Sequence, residues 1–263
     1  LVAQAEGGFE RQLPDGSVEV YGLTDDSGRT FLTETRNPAG NAVKIGYDKW
    51  FRTISVTDAI GQLSKIRYAA ETSGSAGFFK ISEIEDPFGR KAKFTYDKSL
   101  THLESTTDTV GLASRFAYAP NSNSIVQLGT PYGTTKFSQY RPAGSPTGSL
   151  GLRVTYADGT STVTEHWAGD RHATYQWNRL ATDLYPGDPS KGVYSHCTIT
   201  KWMTKPNGKE LSVKASVKEP LESEVVYSYS GQSLKGFTGD SNLPVSISRR
   251  VSVKNSDGTA GSA

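Results

Sequence analysis

The sequence predicts an all-β protein, an array of antiparallel β-hairpin repeats forming a twisted, spiralling sheet. Three observations carry this expectation. Gly, Tyr, Thr and Ser are abundant while apolar residues make up only 35% of the chain, a composition suited to pleated surfaces and turns, with good helix formers sparse. A Gly followed seven residues later by a Tyr recurs five times in succession. After each of those glycines the side chains alternate with the period of a half-buried strand.

The five pairs are Gly40/Tyr47, Gly61/Tyr68, Gly89/Tyr96, Gly111/Tyr118 and Gly133/Tyr140. Random placement of the chain's Gly and Tyr would produce about one such pair, so the spacing marks an internal repeat. A sixth pair, Gly187/Tyr194, is out of phase. Three residues before each Gly stands Asn37, Asp58, Asp86, Asp108 or Thr130. These residue types favour the first position of a type I turn whose fourth position prefers Gly. Pro38, Pro87 and Pro131 fall at the second position, where a fixed φ near −65° is wanted.

Beyond the turn, Lys91-Ala-Lys-Phe-Thr-Tyr96 alternates most clearly, with Val43/Ile45/Tyr47, Ile66/Tyr68 and Phe116/Tyr118 on the same face. Leu32, Ile54/Val56, Ile81/Ile84, Leu103 and Ile125/Leu128 precede the turns and supply the opposing strands. Each copy thus reads as a hairpin. Gly-to-Gly intervals of 21, 28, 22 and 22 residues place a polar insertion, Glu71–Gly77, in the long one. A lone hairpin is marginal, so each copy leans on its neighbours. The in-phase tyrosines read as a ladder whose hydroxyls reach neighbouring backbone groups.

Repeats of this regularity are expected over 1–140, with a Pro/Gly/Ser-rich boundary loop at 141–149. Degenerate β segments follow over 150–253, continuing the same sheet, and 254–263 reads as a flexible tail. In the second half, strands are expected at 152–156, 160–167, 172–177, 194–202, 210–217, 225–229 and 244–253. Turn signals stand at Asp158-Gly159, Pro186-Gly187, Pro206-Asn-Gly208 and Asp257-Gly258.

Charge and composition exclude several classes. With 29 basic and 27 acidic residues and no long run of either sign, nucleic acid is not an implied partner. No stretch approaches the roughly 20 apolar residues of a membrane span. A single cysteine, Cys197, closes no internal disulfide, and four scattered histidines have no metal-ligand spacing, so neither metal nor cofactor is expected. The chain opens Leu-Val-Ala and ends on small residues, which reads as a piece of a longer polypeptide.

The copies Asp86-Pro-Phe-Gly-Arg-Lys-Ala-Lys-Phe-Thr-Tyr-Asp97 and Asn37-Pro-Ala-Gly-Asn-Ala-Val-Lys-Ile-Gly-Tyr-Asp48 resemble the YD repeat of Rhs proteins, with literal Tyr-Asp pairs at 47–48 and 96–97. The resemblance covers residues of about 10–140 well and is weaker beyond. The pair becomes Tyr68-Ala69, Tyr118-Ala119 and Tyr140-Arg141 elsewhere, and the self-cleavage region of that family has no counterpart here. The resemblance implies a spiralling sheet of the kind found in bacterial polymorphic toxins, toxin-complex cocoons and teneurin shells. It also implies a secreted or cell-surface bacterial setting and, as partners, further repeats and a toxin domain of the same parent chain.

On that basis the expected function is a non-catalytic casing segment that shields or presents an effector. The alternative is a cell-surface adhesion or carbohydrate-binding module, with Trp167, Trp177 and Trp202 as exposed platforms for glycan or a surface protein. An enzyme is the third class. Its best raw materials are a carboxylate dyad among Asp58, Asp86 and Asp108, a calcium site from the same residues, and His166 and His172 with Asp170 near Glu165. Turn capping accounts for the aspartates, no nucleophile motif accompanies the histidines, and Cys197 points away from its neighbour His196 on any strand.

Overall fold

In the computed structural model the chain is nearly all β. The structure describes residues 2–3, 8–168, 172–184, 194–205, 207–232, 234, 236–249, 252–254 and 260–262. The Pro186-Gly187 and Asp257-Gly258 turns, Pro206 and Asp170 lie outside them. Two compact units divide the chain between Pro131 and Tyr132. The 141–149 segment is the connection between two strands inside the second unit.

The first unit is a meander in which each strand pairs antiparallel with the next. It runs Val2–Ala3, Phe9–Gln12, Val18–Tyr21, Glu34–Arg36, Ala42–Tyr47, Thr53–Thr57, Leu63–Tyr68, Ile81–Glu85, Lys91–Tyr96, Leu103–Thr107, Ala113–Tyr118 and Ile125–Thr130. A small separate hairpin, Leu23–Thr24 with Thr30–Phe31, fills one connection. Because the strands alternate in direction, the connections alternate between two edges of the sheet. One edge, here the near edge, carries the Asn37, Asp58, Asp86 and Asp108 turns. The other, the far edge, carries the longer loops that follow each in-phase tyrosine.

The second unit repeats the plan with Gly133–Tyr140, Leu150–Thr155, Ser161–Trp167, Ala173–Trp177, Thr198–Thr204, Glu210–Lys218, Val225–Tyr229 and Pro244–Arg249, again paired in order. Ser252–Lys254 pairs separately with Ala260–Ser262, so part of the expected tail is strand. A six-residue helix, Arg179–Leu184, follows Trp177. Its N-cap is Asn178, whose Oδ1 accepts the Ala181 N–H at 2.8 Å. Tyr194–His196, expected as strand, forms a 3-10 turn.

The units are stabilised differently. In the second, inward residues alternate along two paired strands: Val163, Glu165 and Trp167 on one, Ala173, Tyr175 and Trp177 on the next. With Ala181 and Cys197 the apolar members form one buried cluster, against which Tyr140, Tyr194 and Ile199 pack. Among the described residues of the first unit the only buried hydrophobic residue is Phe78. There the strands are mostly half-buried, and fixed turns, backbone ladders and edge contacts hold the sheet together.

Candidate functional site

Each near-edge turn is built the same way. Asp58 Oδ1 accepts the N–H groups of Ile60 and Gln62, Asp86 those of Phe88 and Arg90, Asp108 those of Val110 and Leu112, and Asn37 those of Ala39 and Asn41. The fourth residue is Gly40, Gly61, Gly89 or Gly111, with φ between +79° and +91°, a left-handed conformation that glycine enters without Cβ strain. Gly133, at φ +127°, departs from this value and follows a turn made by Pro131 and Tyr132. The third residue points outward: Ile60 is 79%, Phe88 71% and Val110 75% exposed.

Far-edge loops reuse the device. Asp48 Oδ1 accepts from Trp50 and Arg52, and Asp97 Oδ1 accepts from Thr101, with Phe51 and Leu100 taking the left-handed position. The aspartate of the Tyr-Asp pair is therefore a second turn cap. Asp25 is drawn down to about 2, chiefly by the Ser27 hydroxyl. At Asp86 burial would raise the pKa, but the backbone N–H and guanidinium of Arg90 outweigh it and lower it. These carboxylates are committed acceptors set along the edges of the sheet, so the dyad and calcium alternatives find no convergent site in them.

The in-phase tyrosines staple the hairpins. Tyr47 donates to Leu32 O at 2.7 Å, Tyr68 to Thr53 O at 2.9 Å, Tyr96 to Ile81 O at 2.7 Å and Tyr118 to Leu103 O at 3.1 Å. Every acceptor lies 15 residues upstream. Tyr47, Tyr96 and Tyr118 each sit where the ladder to the following strand slips register. Such a bulge re-aims a side chain and sends these hydroxyls back across their own hairpins. Sequence spacing misses a further member, Tyr229, which stands at a register shift and donates to Lys214 O at 2.7 Å, again 15 residues back. No Gly stands seven residues before it; the turn closed by Glu222 N–H to Glu219 O has its third residue, Leu221, at φ 60° instead.

Tyr140 differs, donating to Glu165 Oε1 at 2.9 Å. Glu165 is fully buried, and its Oε2 accepts from Trp167 Nε1 at 3.0 Å and Tyr194 OH at 3.4 Å. A Cβ on Gly151 would collide with the Tyr140 ring, so glycine makes room for this contact. Burial and the neighbouring carboxylate push the Tyr194 phenol upward. Burial also pushes the Cys197 thiol to about 12, and its Sγ donates to Tyr194 O, leaving it an inert core residue.

Two of the three candidate glycan platforms are corrected here. Trp167 and Trp177 are 5% and 4% exposed, enclosed by the Tyr175 and Tyr194 rings. No flat face is presented to a sugar there, because the inward phase of both strands carries them into the core. Trp202 is half-buried and donates to Thr174 Oγ1 at 2.8 Å. His166 and His172 do converge, but on Glu210, whose Oε2 lies 3.3 Å from His166 Nε2 and 3.0 Å from His172 Nδ1. Glu165 points to the opposite face from His166, so the expected grouping of the three is broken. Among the described residues no group of three or more His, Cys, Asp or Glu is placed to hold a metal ion.

The insertion at Glu71–Gly77 is docked through Arg52, which is buried. Its guanidinium bonds Asp48 Oδ2 at 2.7 Å, Ala70 O at 3.0 Å, Phe78 O at 2.7 Å and Glu71 Oε2 at 3.1 Å, and lies over the Phe78 and Tyr68 rings. The sequence hint was the spacing Asp48/Arg52, shared by Asp25/Arg29 and Asp86/Arg90. At the near edge, an open cleft of about 590 Å³ is lined by Leu13, Val18, Val43 and Ile60 together with Arg36 and Asp58.

These features define a hairpin-repeat β protein in which the in-phase aspartates cap turns and four of the in-phase tyrosines bond across their hairpins. No family model and no curated protein matches the chain. Among solved structures it is similar to a Photorhabdus luminescens Tc holotoxin pore with a mutated TccC3, at 12% identity and TM-score 0.34, covering 83% of this chain and 13% of that one. It is similar also to a TcdB2-TccC3 crystal structure, at 12% identity and TM-score 0.35 over the same shares. A TcdB2-TccC3 structure without its hypervariable C-terminal region aligns over 96% of this chain and 19% of that one, at 9% identity and TM-score 0.25. The chain thus spans a small fraction of the length of each of these structures.

Proposed function

We propose that this chain is a non-catalytic wall segment of an Rhs/YD-type casing, which shields or presents an effector domain of a larger secreted protein. The observation that carries the reading is the 15-residue tyrosine staple. Four tyrosines of the first unit and one of the second spend their hydroxyls closing hairpins. A wall assembled from self-closed hairpins extends by adding units, since each contributes the same local contacts. Near-edge aspartates and glycines serve the turns, and the fully buried carboxylate of Glu165 is satisfied by three aromatic donors. Among the described residues no helix is long and apolar enough to cross a membrane.

The test is protease protection within the parent polypeptide. With this segment intact, the domain it encloses should resist proteolysis under native conditions and become cleavable once the segment is deleted. Equal cleavage of the two forms would overturn the casing reading. A reproducible glycan-array signal abolished by Trp202→Ala would replace it with adhesion.

A further inference from the structure

His102 makes contacts that the repeat pattern does not call for. It closes the far-edge loop that starts at Asp97, where Asp97 N–H donates to His102 O. The next far-edge loop begins at Ala119, one hairpin further along, and closes through Ala119 N–H to Ser124 O. The imidazole stands between the two loops. Its Nδ1 is 2.9 Å from Asp97 Oδ2, and its Nε2 is 2.9 Å from Asn123 Oδ1. The Tyr118 ring packs against it, with centroids 4.5 Å apart.

The chemistry of the two partners sets the protonation state. The Asp97 carboxylate is held well below the usual range, first by His102 and then by Thr101 and Ser99 against the cost of burial. Being ionised it only accepts, so Nδ1 carries a proton. An amide oxygen opposite Nε2 requires a proton there as well. A ring protonated at both nitrogens is an imidazolium.

We propose that His102 is a proton-operated staple joining the two successive far-edge loops, closed while the ring is charged and released when it is neutral. Loss of the Nε2 proton turns a lone pair toward the Asn123 oxygen lone pairs, which removes the attraction holding the second loop. The groups facing the ring are Asp97 and the Thr101 hydroxyl from its own loop, Tyr118 from the following strand, and Ser122 and Asn123 from the second loop. The pKa of His102 is raised, first by the Asp97 hydrogen bond, with Asn123 adding to it against desolvation. A raised folded-state value means that the staple contributes fully below the ordinary 6.5 and is lost as pH climbs through the raised value. On the acid side it persists until Asp97 is protonated, below the ordinary 3.8.

The experiment is an NMR titration of the His102 ring in the native chain. Beside it, protection factors of the Ala119 and Ser122 amides are measured at about pH 5.5 and about pH 8.5 in the native chain and in His102→Gln. The imidazole should titrate above 6.5. Protection of the two amides, normalised for intrinsic exchange, should fall several-fold at the higher pH in the native chain and stay level in His102→Gln. Asn123→Asp should move the titration upward. A midpoint at or below 6.5, or the same pH response in both chains, would overturn the staple. So would unchanged protection accompanied by rotation of the Asn123 amide.

Discussion

Gly89 offers the cleanest test of the turn geometry. It sits at φ +79°, and a Cβ built there meets nothing within 4 Å. A substitution is therefore opposed by backbone conformation alone, with no crowding to confuse the result. An L-residue in the left-handed region costs about 1–2 kcal/mol, least for Asn, whose short polar side chain bonds locally. Gly89→Ala should cost about 1 kcal/mol and Gly89→Val, with its branched Cβ, about 2 kcal/mol. For a chain of this length 1 kcal/mol corresponds to roughly 2–4 °C in Tm. Thermal and urea melts of the Ala, Val and Asn variants should then rank wild type above Asn, Asn above Ala and Ala above Val. A Val variant melting with the wild type, or an Asn variant as weak as Val, would refute the assignment of this Gly to the left-handed turn position.

Three further outcomes are expected. Tyr96→Phe removes the 2.7 Å bond to Ile81 O and should cost about 1 kcal/mol by urea denaturation; an unchanged midpoint would show that the staple contributes nothing. Arg52→Lys keeps the charge but not the planar fork that serves Asp48, Glu71 and two carbonyls. It should lower Tm and open 71–77 to protease, and resistance equal to wild type would count against the docking role. Cys197, pushed up to about 12 by burial, should stay unreactive toward a thiol reagent at about pH 8 until the chain unfolds. Its contribution to stability is complete below the unfolded value near 9 and lost as pH rises through about 12, so an immediately reactive thiol in the native state would contradict its burial.

The near-edge turns were legible because every group involved lies within five residues. An aspartate, its two acceptor contacts and the Gly that reverses the chain are all local choices, which a residue pattern records directly. The same logic explains the far-edge caps Asp48 and Asp97, visible in the sequence only as half of a Tyr-Asp pair because Phe51 and Leu100 stand where Gly signals the near-edge turns. The absence of Gly before Tyr229 hid a working staple in the second half for the same reason.

By itself the sequence determined the all-β class, the hairpin phase, the turn positions in the first unit and the backbone-directed hydroxyls of four of the five repeat tyrosines. Tertiary structure decided the rest. Register shifts beside Tyr47, Tyr96 and Tyr118 arise from pairing with the following strand, which local propensity does not encode. The tryptophans of the second unit were ambiguous because an aromatic suits a pleated surface on either face, and only the packing of Tyr175 and Tyr194 around Trp167 and Trp177 settles which side is core. Arg52 reaches carbonyls 18 and 26 residues away, and His102 an amide 21 residues away. Contacts at that range form only when neighbouring hairpins lie side by side. A one-residue slip would turn each strand's side chains to the other face, so these contacts depend on the final register of the sheet.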